Sequence, residues 1–384
     1  MTEIALYALF SGAVLVVLYI YFGYPLLIFV LSRLRAREIA SEEITPPVTM
    51  IIPVFNEADV VERKIQNCLE LDYPVDRLDV LFISDGSTDA TEQIIGEHER
   101  DQVRLASIPR SGKAAALNRG VELASGEIVV FTDANVELRP DALRRIVRPF
   151  ADVEVGGVSG RKTYVIRDGS DTTEKGENLY WRWDQWQKKL ESRIGSMFAA
   201  DGSLYAVRRE LFVPIEKKEQ ADDIAISARV VLQGRRLVFE PDAIAVEEAP
   251  AEGVEEFRRK VRVTNHSMRA LLNLGSALWT SGFYSVELLS HKLIRHLIPF
   301  FLMIILLSSI GLTIMRPWFG ALLALQIVFY GLAMIGGLLR RLAIGRWKIL
   351  SIPYYFCLVN AAAFVGALSV IRGTKVREWT PRSA

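Results

Sequence analysis

The sequence predicts an α/β domain with a mostly parallel sheet, joined to α-helical transmembrane segments. Between residues 46 and 265, short β-rich runs alternate with segments of helical period, which is typical of strand–helix–strand units. Long apolar runs lie at both ends of the chain. Polar motifs follow the predicted strands directly, at the sheet edge where parallel α/β domains bind ligands.

Composition excludes several classes of protein. The 384 residues are 51% hydrophobic and 24% charged, so the chain can bury a large core. The formal net charge of +1 gives no global field for nucleic acid, and no nucleic-acid partner is expected. Two cysteines cannot supply a disulfide framework or a Cys-rich metal site, and four scattered histidines lack the HExxH spacing of a zinc hydrolase.

Residues 1–45 are predicted to form a transmembrane helix and a basic flank. The apolar run Ile4–Leu31 exceeds the ~20 residues that a helix needs to cross a bilayer, and Pro25 predicts a kink within it. Arginines follow at positions 33, 35 and 37, so the positive-inside rule places this end, and the soluble domain after it, in the cytoplasm. A cleaved signal peptide is the alternative, but Glu3 precedes the run where a positive charge would be expected.

The last part of the chain predicts further membrane segments. Residues 266–296 are expected to form interfacial amphipathic helices, with His291 to His296 as a basic surface flank, and residues 297–384 to form C-terminal transmembrane helices and a basic tail. The apolar runs are Leu297–Met315, Phe319–Leu339 and Leu350–Ile371. Four full crossings would put the basic tail that begins at Arg372 outside, against the positive-inside rule. One apolar segment is therefore expected to be re-entrant or interfacial.

The soluble region, residues 46–265, is expected to be one catalytic domain. Its first elements alternate as strand and helix. The predicted strands are Val48–Val54, Asp79–Ser84, Val103–Ile108 and Glu127–Thr132, and the predicted helices are Ala58–Leu71, Asp89–His98 and Gly112–Ala124.

Two of the polar motifs follow the first two strands. The first strand ends in the run from Pro53 to Asn56 and Glu57, and these two polar residues could simply cap the next helix. The second ends at Asp85, followed by the turn residue Gly86. A carboxylate at the carboxyl edge of a central strand lies where a nucleotide base or ribose would accept or donate hydrogen bonds.

Two further motifs follow the third and fourth strands. Lys113 opens a helix after Gly112, where a cation opposes the helix dipole unless an anion such as phosphate lies nearby. Asp133 and Asn135 follow the fourth strand. Oxygen ligands two residues apart suit Mg²⁺ held together with phosphate oxygens, although Asp and Asn are also common in simple turns.

In this order and spacing, the four motifs resemble glycosyltransferase family 2, whose catalytic domain has the GT-A (Rossmann-like) fold. The resemblance covers about residues 47–265, and the flanking membrane segments resemble those of its polysaccharide synthases, including cellulose and hyaluronan synthases. It implies that Pro53, Asn56, Glu57 and Asp85 lie at the nucleoside of a UDP-sugar and Lys113 near its diphosphate. Asp133 would bind both nucleotide and metal, and with Asn135 would form the metal-binding DxD motif. Asn135 replaces the more usual aspartate and supplies less charge to Mg²⁺ or Mn²⁺.

The resemblance also implies an acceptor side. Asp201 and Gly202 look like the acceptor-binding segment of the family, and Asp223 aligns with its general base. Asp222 is assigned to acceptor binding, with a helix cap as the alternative. The QxxRW motif of the membrane synthases keeps only Arg262, which is expected to contact the diphosphate; the loss of Gln and Trp counts against processive synthesis. Trp183 and Trp186 share a helix face, which favours packing or a membrane-interface belt.

The sequence thus predicts a membrane-bound inverting glycosyltransferase that moves a sugar from a nucleotide sugar, UDP-linked by resemblance, to a polysaccharide or lipid-linked glycan. The expected location is a bacterial inner membrane with the catalytic domain in the cytoplasm. A homo-oligomer or an export partner would relieve the narrow bundle of four membrane segments. The alternatives are a processive polysaccharide synthase, a non-catalytic nucleotide-sugar-binding scaffold, and a transporter. A Rossmann oxidoreductase lacks its GxGxxG turn here.

Overall fold

The computed structural model of the chain describes residues 2–99, 102–165, 173–216, 221–248, 253–340 and 342–374. The basic tail predicted beyond residue 374 lies outside these ranges. The strands are β1 Val48–Val54, β2 Leu78–Asp85, β3 Val103–Ile108, β4 Ile128–Thr132, β5 Glu137–Leu138, β6 Val155–Val165, β7 Leu204–Arg208 and β8 Arg236–Glu248. The helices are α1 Thr2–Leu18, α2 Tyr24–Leu34, α3 Ala58–Leu69, α4 Thr91–Glu97, α5 Lys113–Leu123, α6 Ala142–Val147, α7 Thr173–Ile194, α8 Asp222–Leu232, α9 Gly253–Asn273, α10 Ala277–Thr280, α11 Phe283–Glu287, α12 Ile294–Met315, α13 Phe319–Leu338 and α14 Lys348–Ile371.

An eight-stranded sheet organises the soluble domain, with strand order β3-β2-β1-β4-β7-β6-β8-β5. Strands β1 to β4 are parallel, β7 is antiparallel to both of its neighbours, and β6 pairs in parallel with β8. The mostly parallel α/β sheet predicted from the sequence is confirmed, as are the first four strands to within one residue at each end. Each is short and apolar and is bounded by polar turn residues, which makes its limits readable from the sequence.

Side chains of the central strands alternate between two apolar cores. Met50 and Ile52 face the core beneath α3 and α6, while Ile51 faces the core beneath α5 and α8. Every residue of β1 is buried, as expected of a central parallel strand that helices cover on both faces. This two-sided packing fixes the carboxyl ends of β1, β2 and β4 at one edge of the sheet.

Four helices are long and apolar enough to cross a membrane within the described part of the chain, as the sequence predicted. They are Glu3–Leu34, Phe283–Met315, Phe319–Leu338 and Lys348–Ile371. The first is continuous through a wider π-helical turn at Tyr19–Gly23, which precedes Pro25 and accommodates its missing N–H. The predicted divisions at residues 265 and 296 both fall inside continuous helix, since α9 spans the first and the helix from Phe283 spans the second.

The membrane helices are attached to the domain at one end. The helix Glu3–Leu34 runs antiparallel to Phe283–Met315, with Glu3 bonded to Arg316 at the far end (2.8 Å) and Tyr19 bonded to Ser290 near the domain (2.8 Å). His291 was expected on a basic surface flank, but it is 2% exposed. It lies between Glu191 and Asp184, at 2.6 and 3.2 Å, because these buried acids of α7 require a polar partner.

Helix α14 follows a different course from the other apolar helices. Its first turns pack on the end of α13, where Leu350 and Tyr354 contact Gly336. It then runs alongside α9, with Gly366 against Thr264 and with Asn265 of α9 donating to Ser369 (2.6 Å). The C-terminal half of α14 therefore lies next to α9, the amphipathic helix that follows the α/β domain.

Candidate active site

A cavity of about 1370 Å³ lies between the sheet edge and the membrane helices. The end expected to bind the nucleotide-sugar donor, called the donor end, is formed by Glu57, the loop 110–113, Asp133, Asn135, Asp222 and Asp223. Its membrane end is formed by apolar and aromatic side chains of the π-helical turn Tyr19–Gly23, α13 and α14, including Tyr21, Phe22, Phe329, Phe356 and Val359. One continuous space therefore joins a strongly polar site to the membrane helices.

Lys113 is the centre of the donor end. Its ammonium group lies 2.8 Å from Asp133 and 3.3 Å from Asp222. Burial by itself would lower the pKa of Lys113, but the two carboxylates outweigh burial and raise it well above its usual range. The lysine is thus held charged, and it joins the end of β4 to the start of α8.

Asp222 and Asp223 are the first two residues of α8, where free backbone N–H groups and the helix dipole favour negative charge. Asp223 accepts a hydrogen bond from the N–H of Ile224 at 2.8 Å. Burial and the neighbouring Asp222 nevertheless raise the pKa of Asp223 to about 6. A carboxylate with that pKa is ionised at neutral pH and basic enough to accept a proton.

Glu57 lies at the donor end, at the start of α3, and is 7% exposed. Burial, followed by the charges of Asp133 and Asp89, raises its pKa to about 7. The hydroxyl of Tyr205 is buried near Asp133, Asp222 and Asp223, and it has no hydrogen-bond partner within the part of the chain that the structure describes. Negative charge therefore accumulates at this end of the cavity.

Asp85 has a structural role in this conformation. Its carboxylate is fully buried and accepts hydrogen bonds from the N–H groups of Ser111 and Gly112, at 2.6 and 3.0 Å, and from the Arg110 guanidinium. A side chain at Gly86 would meet the Arg110 backbone at 2.8 Å, so this close approach requires glycine. The β2 end and the loop 110–113 are thereby locked together.

Asn56 is likewise engaged by protein. Its backbone has a φ of 52°, which is uncommon for a residue with a side chain, and its carboxamide oxygen accepts from the N–H of Thr88 at 2.8 Å. Pro53 is buried within β1, beyond the residues that pair with β4. Neither Pro53, Asn56 nor Asp85 lines the cavity. The structure brings the other nine predicted site residues to its surface: Glu57, Lys113, Asp133, Asn135, Asp201, Gly202, Asp222, Asp223 and Arg262.

The predicted acceptor segment lies directly beside Asp223. A side chain at Gly202 would contact the Asp223 carboxylate at 3.5 Å. Asp201 accepts from the hydroxyl and the N–H of Ser203, at 2.8 and 3.1 Å. Burial alone would raise the pKa of Asp201, but Lys162 and Lys188 lower it below its usual range. Asp201 is therefore a buried, ionised acceptor of hydrogen bonds.

Several cavity residues were not singled out from the sequence. Arg110 covers Asp85 and lies 3.5 Å above the ring of Phe55. Trp183, expected to serve in packing or a membrane belt, lines the cavity together with Trp181. A second set consists of cations: Lys162, Lys188, Arg259, Lys260, Lys292 and Arg295. Four separate elements supply these lysines and arginines. Arg259 and Lys260 stand in the stretch compared with QxxRW, and Lys292 and Arg295 stand in the predicted basic flank.

The donor end offers oxygen ligands for a hard divalent ion. No group of three or more His, Cys, Asp or Glu side chains is arranged for a metal in the residues that the structure describes. Asp133 and Asn135 supply two oxygens, which suffices for Mg²⁺ or Mn²⁺ only if phosphate oxygens complete the coordination. Glu57, Asp222 and Asp223 line the same end of the cavity and add negative charge that favours a cation there, since Lys113 offsets only one negative charge.

Comparison with known proteins extends this picture. The profile described as Glycosyl transferase family 2 matches residues 49–213. A beta-monoglucosyldiacylglycerol synthase from Nostoc sp. is 29% identical over 170 residues, which is 43% of this chain and 36% of that protein. A poly-beta-1,6-N-acetyl-D-glucosamine synthase from Staphylococcus aureus is 27% identical over 204 residues, 51% of this chain and 48% of that protein. The chain thus spans about a third to a half of the curated relatives it matches.

Among solved structures, the mannosyltransferase PcManGT from Pyrobaculum calidifontis, in complex with GDP-Man and Mn²⁺, is similar over 94% of this chain and 99% of its own. The TM-score is 0.72 and the sequence identity 24%. This likeness establishes the fold over nearly the whole chain, and the GT-A expectation is confirmed.

Proposed function

From the match of residues 49–213 to glycosyltransferase family 2, we propose that the chain transfers a sugar, with inversion, from a nucleoside diphosphate sugar to a hydroxyl group of an acceptor at the membrane. The observation that supports the proposal is that Lys113 forms ion pairs with Asp133 and Asp222, next to Asp223, in a cavity that extends to the membrane helices. A lipid-linked acceptor is favoured over a soluble one because the far end of this cavity is apolar.

In this reaction the acceptor hydroxyl attacks the anomeric carbon of the sugar. Asp223 accepts the hydroxyl proton, and the bond from that carbon to the diphosphate oxygen breaks with its electron pair leaving on the diphosphate. Lys113 lies where it can stabilise the developing negative charge. Asp201 and Gly202 border Asp223 and are proposed to orient the acceptor.

A divalent cation fits the donor end, where Asp133 and Asn135 would hold it. When bound, it would supply further positive charge to the diphosphate. Arg110 and Glu57 are proposed to contact the nucleoside side of the donor, and Arg262 its diphosphate. Both UDP and GDP sugars remain candidate donors: the sequence resemblance favours UDP, whereas the structurally similar mannosyltransferase is in complex with GDP-Man.

The test is the release of nucleoside diphosphate by the detergent-purified full chain. We expect release from one nucleotide sugar in a panel of UDP and GDP sugars, and only with Mg²⁺ or Mn²⁺ present. Mn²⁺ binding measured by electron paramagnetic resonance gives a readout that is independent of turnover. Donor binding without release, in the presence of metal and membrane lipid extract, would favour the non-catalytic scaffold instead.

We further propose that three helices cross the membrane and that α14 lies at the catalytic face. The C-terminal half of α14 packs beside α9, so the C-terminal end of α14 lies on the side of the catalytic domain. With this arrangement the arginines at 33, 35 and 37, the basic stretch from Arg340 to Lys348, and Arg372 all lie on one side. The far side has Glu3 paired with Arg316. The positive-inside rule then places the catalytic domain in the cytoplasm.

Cysteine labelling from outside intact cells tests this arrangement. In a Cys357→Ser background, a membrane-impermeant maleimide is expected to label Trp318→Cys but not Thr374→Cys. Val153→Cys, which is 73% exposed on the catalytic domain, serves as the inside reference. Labelling of Thr374→Cys before permeabilisation, at the level of Trp318→Cys, would mean that α14 crosses the membrane. The native Cys68 does not interfere, because it is fully buried.

A further inference from the structure

The two ends of the cavity carry opposite charge. The donor end has four acids against Arg110 and Lys113. Beyond Asp201 the balance reverses, with seven cations against three acids. The cations are Lys162, Lys188, Arg259, Lys260, Arg262, Lys292 and Arg295, and the acids are Asp184, Asp201 and Glu247. A nucleoside diphosphate and its metal account for the first region, while the second calls for an anion of its own.

The acids near this second region are shared among several cations. Asp184 lies 3.0 Å from Lys188, 3.2 Å from His291 and 3.9 Å from Arg295. Behind the cavity, Glu256 lies 2.7 Å from Arg259 and 3.3 Å from Lys260. His291 also has Glu191 as a partner at 2.6 Å, which leaves Asp184 to Lys188 and Arg295. One carboxylate cannot neutralise two cations, so positive charge remains in a partly desolvated space, where a further anion would be stabilising.

Several of these cations line the cavity where α9 meets the first turns of the membrane helix Phe283–Met315. The ammonium group of Lys292 lies 5.0 Å from the ring centre of Phe198. Lys292 and Arg295 precede His296 on the same helix, and the charge of Lys260 on α9 also acts on the His296 ring. The Nε2 atom of His296 is shielded from solvent and has no hydrogen-bond partner within the described ranges. All four residues line the cavity, so a ligand there would meet three cations and an unsatisfied ring nitrogen.

Contacts order the regions along the cavity. Asp223 adjoins Gly202, and Asp201 lies 4.0 Å from Lys188, which leads through Asp184 to Arg295. At the apolar end, Tyr21 packs on Phe356 of α14 with ring centres 5.9 Å apart, and Tyr19 and Tyr24 on either side of it contact Ser290 and His291. The basic cluster, which means Lys260, Lys292, Arg295 and His296, is therefore connected by contacts to the general base and adjoins the apolar end through its own helix.

Resting on the proposed function, we propose that the acceptor is a phosphate-bearing lipid. Its apolar chain occupies the membrane end, its phosphate binds the basic cluster, and a polar group beyond the phosphate presents its hydroxyl to Asp223. A neutral glycolipid would add no anion to the cluster, whose positive charge Asp184 and Glu256 offset only in part. The order of environments thus specifies the order of groups in the molecule: chain, phosphate, hydroxyl.

Lipid retention on the full-chain protein, measured by native mass spectrometry from dodecyl maltoside, tests this. The probes are dioleoyl phosphatidate, diacylglycerol with the same chains, and inorganic phosphate as competitor. We expect phosphatidate to bind at least about 10-fold more tightly than diacylglycerol, and Lys292→Gln to remove about 10-fold of that affinity, the effect of losing one charge-assisted hydrogen bond. Lys292→Arg should retain binding, which excludes misfolding as the cause, and Lys189→Gln, on the exposed face of α7, is the matched control.

Each outcome decides a different point. Equal retention of the two lipids, or equal losses in Lys292→Gln and Lys189→Gln, would overturn the phosphate subsite. Full competition by inorganic phosphate at the lipid's own concentration would mean that the cluster binds free phosphate rather than a lipid. If nucleoside diphosphate release persists in either case, the proposed transferase stands; if wild-type protein releases none from any donor, that proposal fails independently.

Discussion

Asp223→Asn is expected to abolish sugar transfer while leaving donor binding intact. The substitution preserves size and the position at the start of α8, but an amide cannot accept the acceptor proton. General-base assistance is typically worth about 10²- to 10⁴-fold, so kcat should fall by at least the lower figure. The measurement pairs transfer kinetics with donor titration by calorimetry. A variant that keeps a tenth or more of wild-type kcat would rule out Asp223 as the base.

The same carboxylate predicts the pH profile. Because the pKa of Asp223 is raised to about 6, the fraction of ionised base, and with it the rate, should fall as pH drops through 6. Asp222 is one cause of that raised pKa, so Asp222→Asn should move the acid limb to lower pH. An unchanged acid limb in Asp222→Asn would show that a different group titrates.

Lys113→Met is expected to cost about 10²- to 10³-fold in kcat, comparable to the loss of one preorganised charge-stabilising donor. It should also strengthen Mn²⁺ binding, because the ammonium group now lies 2.8 Å from an oxygen of Asp133, the proposed metal ligand. Turnover and metal affinity would then change in opposite directions, which general damage to the fold would not produce.

Transfer kinetics and Mn²⁺ titration by electron paramagnetic resonance give both quantities. Arg119→Met, on the same helix and exposed, should behave as wild type in each. Weaker Mn²⁺ binding in Lys113→Met would contradict competition between the lysine and the metal. Lys113→Arg keeps the charge and should retain more activity than Lys113→Met.

Much of the fold was readable from the sequence because it depends on local patterns. Runs such as Val48–Val54 are short, apolar and bounded by polar residues, so strand limits follow from nearest neighbours. The membrane segments follow from length and hydropathy alone. The carboxyl ends of parallel strands meet at one edge, which is why Lys113 and Asp133, far apart in the chain, could be expected in one site.

Other features depended on contacts between distant segments. The resemblance assigns Asn56 and Asp85 to the nucleotide, and in the structure both side chains bind neighbouring loops. These loop contacts depend on side-chain packing, which no local pattern in the sequence encodes. His291 looked like a surface residue because its partners, Asp184 and Glu191, are on another helix. The α14 sequence resembles any membrane-crossing helix; its course beside α9 depends on close approaches such as that of Gly366 to Thr264.

Local patterns were therefore enough to predict the α/β sheet, the apolar helices and the order of the polar motifs, since each arises from periodicity or composition within a short stretch. Packing between distant elements sets how Lys113 joins two acids, how the basic cluster assembles from α9 and the helix after it, and how the site continues into the membrane helices. Those features are charges and surfaces brought together from elements far apart in the chain, and no local pattern encodes their distances.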